Sequence, residues 1–481
     1  MGGGMSLLFA ENGVDVSLND PSEDTVNALL ETAKKDGVEQ RLSKHADYES
    51  LCKSLGEPKV IFFSLPHGTA GDTVSEGLQP FLEPGDIIVD CSNENWENTQ
   101  RRQGKLVSQG VFYVGCGVSG GYQAARRGPS MCPGGEREPL DHLMPFFEMV
   151  AAKDAIGHPC VGRVGQGGAG HYVKMIHNGI EHGIMSALAE SWSMMSLNMG
   201  MGFDEIGDVM AKWNSEGELR NTFLVAIGAQ ICKQKDPLET HHILSSVKDK
   251  VVQDIDGSEG TGIWSQIEAV RMHVPAPTLS TAHYLRLASG YRGQRVLVHS
   301  VFKDPFAPDV IPDADKPDIL SDLRLAVYTA TLASFVQGLH IIDRADRQNN
   351  WRIEFSTVVQ IWRAGCIIQC DPIADLLSTI FRPEFGRERS RYLMYEPRIA
   401  EEFKRGFPAL KRVVAKGVEV NAVIPSLSAT LDFLKYSGNE ELPTQFYEAE
   451  MDYFGKHMYD LKEEEAPDPV TGKHHFEWKP A

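Results

Sequence analysis

Lys174, His177, Asn178 and Glu181 stand in the stretch GHYVKMIHNGIEHG at relative spacings of 0, 3, 4 and 7. On an α-helix these spacings put the four side chains within an arc of roughly 100°, so they share one face. Lys and Glu form an acid–base pair, and His and Asn can hold a hydroxyl or a carboxylate between them. Val173, Met175, Ile176 and Ile180 occupy the intervening positions and read as packing. A solvated helix face usually carries many charges and no ordered mix of this kind. Taken alone, the spacing still admits a plain surface helix or a satisfied core.

The elements around this helix fall into two parts. Over the first 150 or so residues, short apolar runs at Val14–Leu18, Val60–Phe63, Ile87–Asp90 and Phe112–Val114 alternate with helical stretches such as Thr25–Lys35. Each run is followed by a polar or glycine-rich turn. That alternation predicts a doubly wound, Rossmann-like α/β domain with a parallel sheet. GQGGAG at 165–170 reads as a joint, and beyond it strand signals almost vanish. Leu325, Leu332, Phe335, Val336 and Leu339 keep the 3.6-residue period of an amphipathic helix. Residues 303–317, rich in Pro and Asp, read as a long exposed loop. The expected division is an α/β dinucleotide-binding domain over 1–167, a large all-α domain over 168–435, and an extended tail over 436–481. The final stretch, 463–481, cannot form a core alone and is expected either to be disordered or to dock on another subunit.

A chain of 481 residues can bury cores in two or three domains. Its formal net charge of −19 argues against nucleic acid or an anionic membrane as a partner. No apolar run approaches the roughly 20 residues of a membrane span, and the N-terminus lacks the pattern of a signal peptide. The eight cysteines have neither metal-ligand nor disulfide-framework spacing. Cys366 and Cys370, four apart in an apolar stretch, read as core residues of a helix. A reduced thiol set in the cytoplasm, with no metal, fits this pattern.

Further motifs flank the Lys174 helix. DCSNENWENTQRR spans 90–102 and GCGVSGG spans 115–121; EGTGIW follows at 259–264, IWRAGCII at 361–368 and DYFGKH at 452–457. In this order and with these gaps, the chain resembles the 6-phosphogluconate dehydrogenase family from Met1 to about Tyr459. The resemblance implies a homodimer whose tails thread through the partner subunit. It also implies oxidative decarboxylation of a phosphorylated sugar acid in the pentose phosphate pathway with NADP as the cofactor. Lys174 is then the base for the C3 hydroxyl and Glu181 the acid that protonates C1 of the enediol. Asn93, Ser119, Gly120 and Gly121 match the family's substrate loops, and His177 and Asn178 would hold the carboxylate end and the C3 hydroxyl.

The two ends of the site depart from the family. MGGGMSLLFAENG resembles the end of a glycine-rich turn and the first helix, with Gly2 as the last fingerprint glycine. The first strand and the earlier glycines are missing, which leaves two readings: an initiating methionine placed downstream of the true one, or a truncated form with damaged cofactor binding. Asn19 and Asp20 follow the second strand, where this fold reads the ribose. An acidic residue there bonds a 2′-hydroxyl and repels a 2′-phosphate, so Asp20 favours NAD where the family's NADP-dependent members carry Arg. A simple turn residue before Pro21 is the other reading. SLPHGTA at 64–70, containing Leu65, replaces the family's cofactor loop, and Pro66 stands where the family has Lys.

At the phosphate end, Thr261, Arg286 and the tail residue His457 match the family. His182 replaces a Tyr, Glu259 a Lys and Met451 a second Arg. A protonated His182 would restore part of the lost charge. Three functions therefore remain open: 6-phosphogluconate dehydrogenase, a decarboxylating dehydrogenase of another, unphosphorylated 3-hydroxy acid, or a non-catalytic relative.

Overall fold

Short β-branched and aromatic runs such as Val60–Phe63 and Ile87–Asp90 form strands that a connecting helix sets in parallel. The computed structural model describes residues 1–303, 306–382, 392–465 and 469–479. Two compact units make it up, Met1–Leu431 and Asp432–Ala481.

The first unit opens with α1 (Gly2–Glu11), β1 (Val16–Leu18), α2 (Glu23–Lys35) and β2 (Leu42–Lys44). It continues through α3 (Tyr48–Lys53), β3 (Val60–Phe63), α4 (Thr69–Leu78), β4 (Ile87–Asp90), α5 (Trp96–Val107), β5 (Phe112–Ser119), α6 (Gly121–Arg127), β6 (Ser130–Gly134) and α7 (Arg137–Val150). The expected α/β fold is present, followed by the expected helical part. β1 and β2 form one parallel pair, whereas β3-β4-β5-β6 form a separate sheet, parallel except for β6. Among the described residues no ladder joins β1 to β3. Yet Val14 and Val16 on one side, and Val60 and Phe62 on the other, pack against the same apolar cluster as Met5 and Phe9 of α1. Leu7 and Ala10, on the opposite face of α1, join the cluster under β2. One helix thus caps both sheets.

β5 runs five residues beyond the expected end because Gly115 and Gly117 are ladder residues, not a turn. Gly115 pairs with Gly134 and Ser119 with Ser130 of β6, a strand absent from the sequence reading. A Cβ on Gly117 would lie 2.1 Å from Cβ of Lys174, and one on Gly170 would lie 2.2 Å from the carbonyl oxygen of Gly115. The helix that follows, α8 (Ala169–Ser193), therefore meets the backbone of β5 and β6 directly at Gly170 and lays the Lys174 stem on Gly117. Every residue of α8 from Ala169 to Ile180 is buried.

The further described helices of this unit are α9 (Phe203–Ser215), α10 (Phe223–Lys233), α11 (Thr261–Arg271), α12 (Pro277–Gly290), α13 (Arg292–Phe302), α14 (Lys316–Asn349), α15 (Phe355–Ile361), α16 (Asp371–Ile380) and α17 (Pro397–Glu419), of which α11, α12 and α14 pack along α8. α14 is long and apolar enough to cross a bilayer, contrary to the sequence reading. However, 89% of its most apolar window is buried, which makes it a core helix. It meets α8 at glycines: a Cβ on Gly338 would lie 2.5 Å from Ile180, and one on Gly183 would lie 2.3 Å from Ser334. Two further expectations are corrected. Cys366 and Cys370 are buried, but they lie in a turn between α15 and α16, not in a helix. Gly365 (φ +70°) lies within that turn, and its carbonyl accepts from Ser130 N–H. The loop at 303–317 ends when α14 starts at Lys316, and Ile311 within it is fully buried, its N–H bonded to Asn198. Residues 304–305 of that loop lie outside the described residues.

In the second unit, α19 (Thr444–Gly455), which follows α18 (Pro425–Gly438), carries Asp452. The carboxylate of Asp452 accepts from Trp478 Nε1 at 2.8 Å and Phe476 N–H at 3.2 Å, with His475 Nδ1 at 2.9 Å. The described end of the chain is thus folded back on α19. Residues 466–468 and 480–481 of the expected docking tail lie outside the described residues.

The glycine contact is directly testable. Gly117→Ala forces β5 off α8 and is expected to lower stability by about 1–3 kcal/mol. Urea denaturation measures the loss, and a midpoint equal to wild type would mean that the two elements can part without strain.

Candidate active site

Backbone contact between α8 and β5 brings the Lys174 face of the helix over the C-terminal end of the sheet. The ammonium of Lys174 donates to Asn178 Oδ1 at 2.6 Å. Asn178 Nδ2 in turn donates to Thr261 Oγ1 at 2.8 Å, on the first turn of α11. His177 Nδ1 stands 3.1 Å from Asn178 Oδ1, and its Nε2 stands 3.1 Å from Ser119 Oγ at the end of β5. Glu181 lies one turn on, with Oε2 at 3.8 Å from His177 Nδ1. The predicted polar face is therefore a hydrogen-bonded chain from β5 to α11. Lys174, His177 and Asn178 are buried, and Glu181 keeps 21% of its side chain exposed.

Burial sets the protonation states. Loss of water holds the Lys174 amine below its ordinary value, against the opposing pull of Glu181. The same loss raises the Glu181 carboxyl above its ordinary value, against Lys174 and Arg286. Burial first, and Lys174 second, keep His177 neutral. Burial therefore moves the base towards its free amine and the acid towards its protonated form, the direction that base-then-acid chemistry needs.

Gly120 (φ +101°) and Gly121 (φ +69°) follow Ser119, and both adopt left-handed backbone that favours glycine. A Cβ on Gly120 would lie 2.3 Å from the Gly365 carbonyl. The IWRAGCII segment therefore contributes shape, supporting the Ser119 loop from behind. Asn93 is half-buried in the loop between β4 and α5. Beneath that loop lies a buried ionic network which the sequence reading missed. Arg102 binds Glu94 at 2.8 Å and Asp90 at 3.4 Å, and its Nη2 donates to the Gly68 carbonyl at 2.6 Å. It braces the 64–70 loop, where Leu65 N–H donates to Ser92 Oγ at 3.2 Å.

On the nucleotide side, Gly2 begins α1 beside that loop: a Cβ there would lie 2.9 Å from Ser64 Cβ. Gly2, Gly3 and Gly4 give the helix a first turn without side chains, whose N–H groups have no partners within the helix. Such a turn fits a pyrophosphate. Asn19 and Asp20 end β1 as expected. Asn19 Nδ2 donates to the His45 carbonyl at 2.9 Å, tying β1 to β2. Asp20 is exposed, and one carboxylate oxygen accepts from Ser22 N–H at 2.8 Å. It is the turn residue before α2, with its carboxylate otherwise open to solvent.

The far end differs most from expectation. His182 is buried with its ring nitrogens neutral: burial, then Arg286, His283 and Lys174, hold it down to about 3. It therefore supplies no positive charge in this state. Arg286 does not stand alone either, because its Nε donates to the buried Asp254 at 2.7 Å. Glu259 is half-buried just before α11 and acts electrostatically on both Lys174 and Glu181. Asp254 and His283 were not singled out in the sequence. His283 precedes Arg286 by three residues on α12, so helical spacing could have indicated it; Asp254, in an irregular segment, had no such signal. His457 and Met451 belong to the second unit, where His457 is exposed and packs on Phe454 at 5.8 Å.

A dinucleotide-type α/β domain beside a helical domain, with a buried base and acid on one helix, defines a hydroxy-acid dehydrogenase. Residues 1–165 match the NAD binding domain of 6-phosphogluconate dehydrogenase, and residues 170–478 match the 6-phosphogluconate dehydrogenase C-terminal domain. The decarboxylating 6-phosphogluconate dehydrogenase of Emericella nidulans is 43% identical, covering 100% of both chains. That of Arabidopsis thaliana, decarboxylating 2, is 35% identical over 99% of this chain and 95% of its own. Among solved structures, Plasmodium falciparum 6-phosphogluconate dehydrogenase, studied in apo form and with NADP+ or 6-phosphogluconate, superposes with a TM-score of 0.90. It is 29% identical and covers 99% of this chain and 98% of its own. The chain belongs to the 6-phosphogluconate dehydrogenase family.

Lys174→Met keeps the length of the stem over Gly117 and removes the base. Turnover is expected to fall by about 10³-fold, within the range that general bases contribute. Little change in the urea midpoint should accompany it. Steady-state kinetics decide the point, and a wild-type kcat would remove Lys174 from the chemistry.

Proposed function

We propose that the protein catalyses oxidative decarboxylation of 6-phospho-D-gluconate to D-ribulose 5-phosphate and CO2, as its full-length relatives are named for doing. The observation that carries the reading is the buried Lys174–Asn178–His177 chain with Glu181 one turn on, its base lowered and its acid raised. Lys174 takes the proton of the C3 hydroxyl. Bound nicotinamide supplies the acceptor for the C3 hydride. The β-keto acid so formed loses its carboxylate as CO2, and Glu181 returns a proton to C1 of the enediol. Ser119, Gly120, Gly121 and Asn93 line the carboxylate end, with His177 and Asn178 orienting the reacting carbons. His182, Thr261 and Arg286 face the far end.

Gly2 and the first turn of α1, Asn19, Asp20, Leu65 and Asn93 are the residues that would hold the dinucleotide. The domains divide at about residues 167 and 435. A homodimer fits two further observations. Helix α13 buries no residue and exposes Val296, Leu297, Val298, Val301 and Phe302. The tail exposes Phe446, Tyr447, Tyr453 and Phe454. In this reading the tail, with His457, completes the partner's site. Eight free, buried cysteines suit the reducing cytoplasm.

A second reading, a related unphosphorylated sugar acid, draws support from Glu259 and from the Arg286–Asp254 pair. An assay following nicotinamide absorbance, with 6-phosphogluconate and gluconate each offered with NAD and NADP, separates the two. The expected result is turnover of 6-phosphogluconate, with Asp20 biasing the cofactor towards NAD. Turnover of gluconate alone would establish the second reading, and no turnover of either acid would sink both.

The same departure yields a mutational prediction. Glu259→Lys changes the local charge by two units. It is expected to raise kcat/KM for 6-phosphogluconate at least tenfold, about 1.4 kcal/mol, with little gain for gluconate. An equal gain on both acids would mean that Glu259 acts on Lys174 and not on the phosphate.

A further inference from the structure

Three buried polar atoms without partners meet at the far end of the site. They are Nδ1 of His182, Nδ1 of His283 and Oδ1 of Asp254. The two imidazoles lie parallel, with planes 1° apart and centroids 6.1 Å apart. His283 Nδ1 is 3.9 Å from Asp254 Oδ1, close but beyond hydrogen-bond reach. A Cβ on Gly262 would lie 2.6 Å from His182 Cε1 and 2.9 Å from Asp254 Oδ1, so all of this surrounds the first turn of α11. Buried polar atoms are normally paired, and a cluster of unpaired ones beside a helix N-terminus marks a place where a ligand or solvent completes the bonding.

The charged groups facing this place come from four elements. Arg286 and His283 lie on α12, Asp254 and Glu259 in the segment before α11, and Lys174, Glu181 and His182 on α8. The N-terminus of α11 adds its partial positive charge. Arg286 is already bonded to Asp254. With Glu259 counted, the fixed charges at this end sum to about minus one, using formal charges alone. A doubly negative group entering here meets no net positive charge unless a proton comes with it.

We propose that His182 and His283 form a proton-accepting pair for the substrate's far end, so that docking of a phosphate beside Arg286 and the first turn of α11 draws one proton from solvent onto the pair. The inference rests on the reading that this end takes a phosphate. In the free protein the pair is neutral, since burial lowers both rings, to about 3 for His182. Asp254 opposes the lowering of His283, which makes that ring the better acceptor of the two. The incoming dianion supplies the missing counter-charge, and an imidazolium donates from an Nδ1 that now lacks a partner. No bond other than N–H forms, and the proton comes from water. Affinity for a phosphorylated acid then falls as pH rises between the free and bound pKa values of the pair, by up to about tenfold per unit. Affinity for the unphosphorylated acid does not.

The test uses the full-length protein in weak buffer at neutral pH. An indicator dye reads proton uptake as 6-phosphogluconate, or gluconate, is added. The expected result is uptake approaching one proton per site for the phosphorylated acid and almost none for gluconate. His182→Phe with His283→Leu should abolish most of the uptake, and each single variant should reduce it. Because these buried positions are sensitive to substitution, the wild-type ratio of kcat/KM for 6-phosphogluconate to that for gluconate is also followed against pH. It should fall with rising pH. Turnover of 6-phosphogluconate without proton uptake, or uptake undiminished in a folded double variant, overturns the proposal while leaving the functional reading intact. Absence of any binding or turnover of 6-phosphogluconate overturns that reading, and the proposal with it.

Discussion

Gly170 of helix α8 lies directly on the backbone of strand β5 at Gly115, and the Lys174 stem lies on Gly117 of the same strand. Backbone lies on backbone there, which is closer than a packed helix and sheet normally approach. Two consequences follow. The Lys174 stem rests on the strand, so its amine is fixed relative to Ser119, two residues beyond Gly117. The approach also removes the water that a larger interface would admit, and α8 is buried throughout its first twelve residues. Position and desolvation thus come from one contact, and catalysis by a lysine base needs both.

The desolvation acts oppositely on base and acid. It destabilises an ammonium and a carboxylate alike, so it lowers Lys174 and raises Glu181. The residual attraction between the two charged forms opposes each shift without reversing it. Asn178 then links Lys174 to Thr261 on another helix, so the same face of α8 is tied to the first turn of α11.

What could be read in the sequence was what depends on period. The spacing of Lys174, His177, Asn178 and Glu181 specifies a common face, and the structure joins all four. β3 and β4 were legible because they are unbroken apolar runs. The extension of β5 was not, because Gly115 and Gly117 look like a turn when the helix packed on them is unseen. Cys366 and Cys370 looked helical because nothing local reveals that Gly365 takes a positive φ to support the loop of Gly120. Charges were the hardest to read. Arg286 looked like a free cation and His182 like a compensating one, because neither Asp254 nor the burial of His182 is visible from spacing.

The pairing of Arg286 with Asp254 is better understood as orientation than as loss. Only Nε is used towards Asp254. The terminal nitrogens of a guanidinium are those that grip an oxyanion in bidentate fashion, and a carboxylate fixed on Nε settles where they point. The cost is that Asp254 cancels the charge which made arginine attractive. A site built this way has good geometry and a deficit of positive charge. It must recover that charge when the substrate arrives, from a mobile proton, from a group of another subunit, or from a substrate that carries less charge itself. The adjoining His182–His283 pair, buried, parallel and with unpartnered nitrogens, is the feature of this chain that can supply it without any movement of the fold.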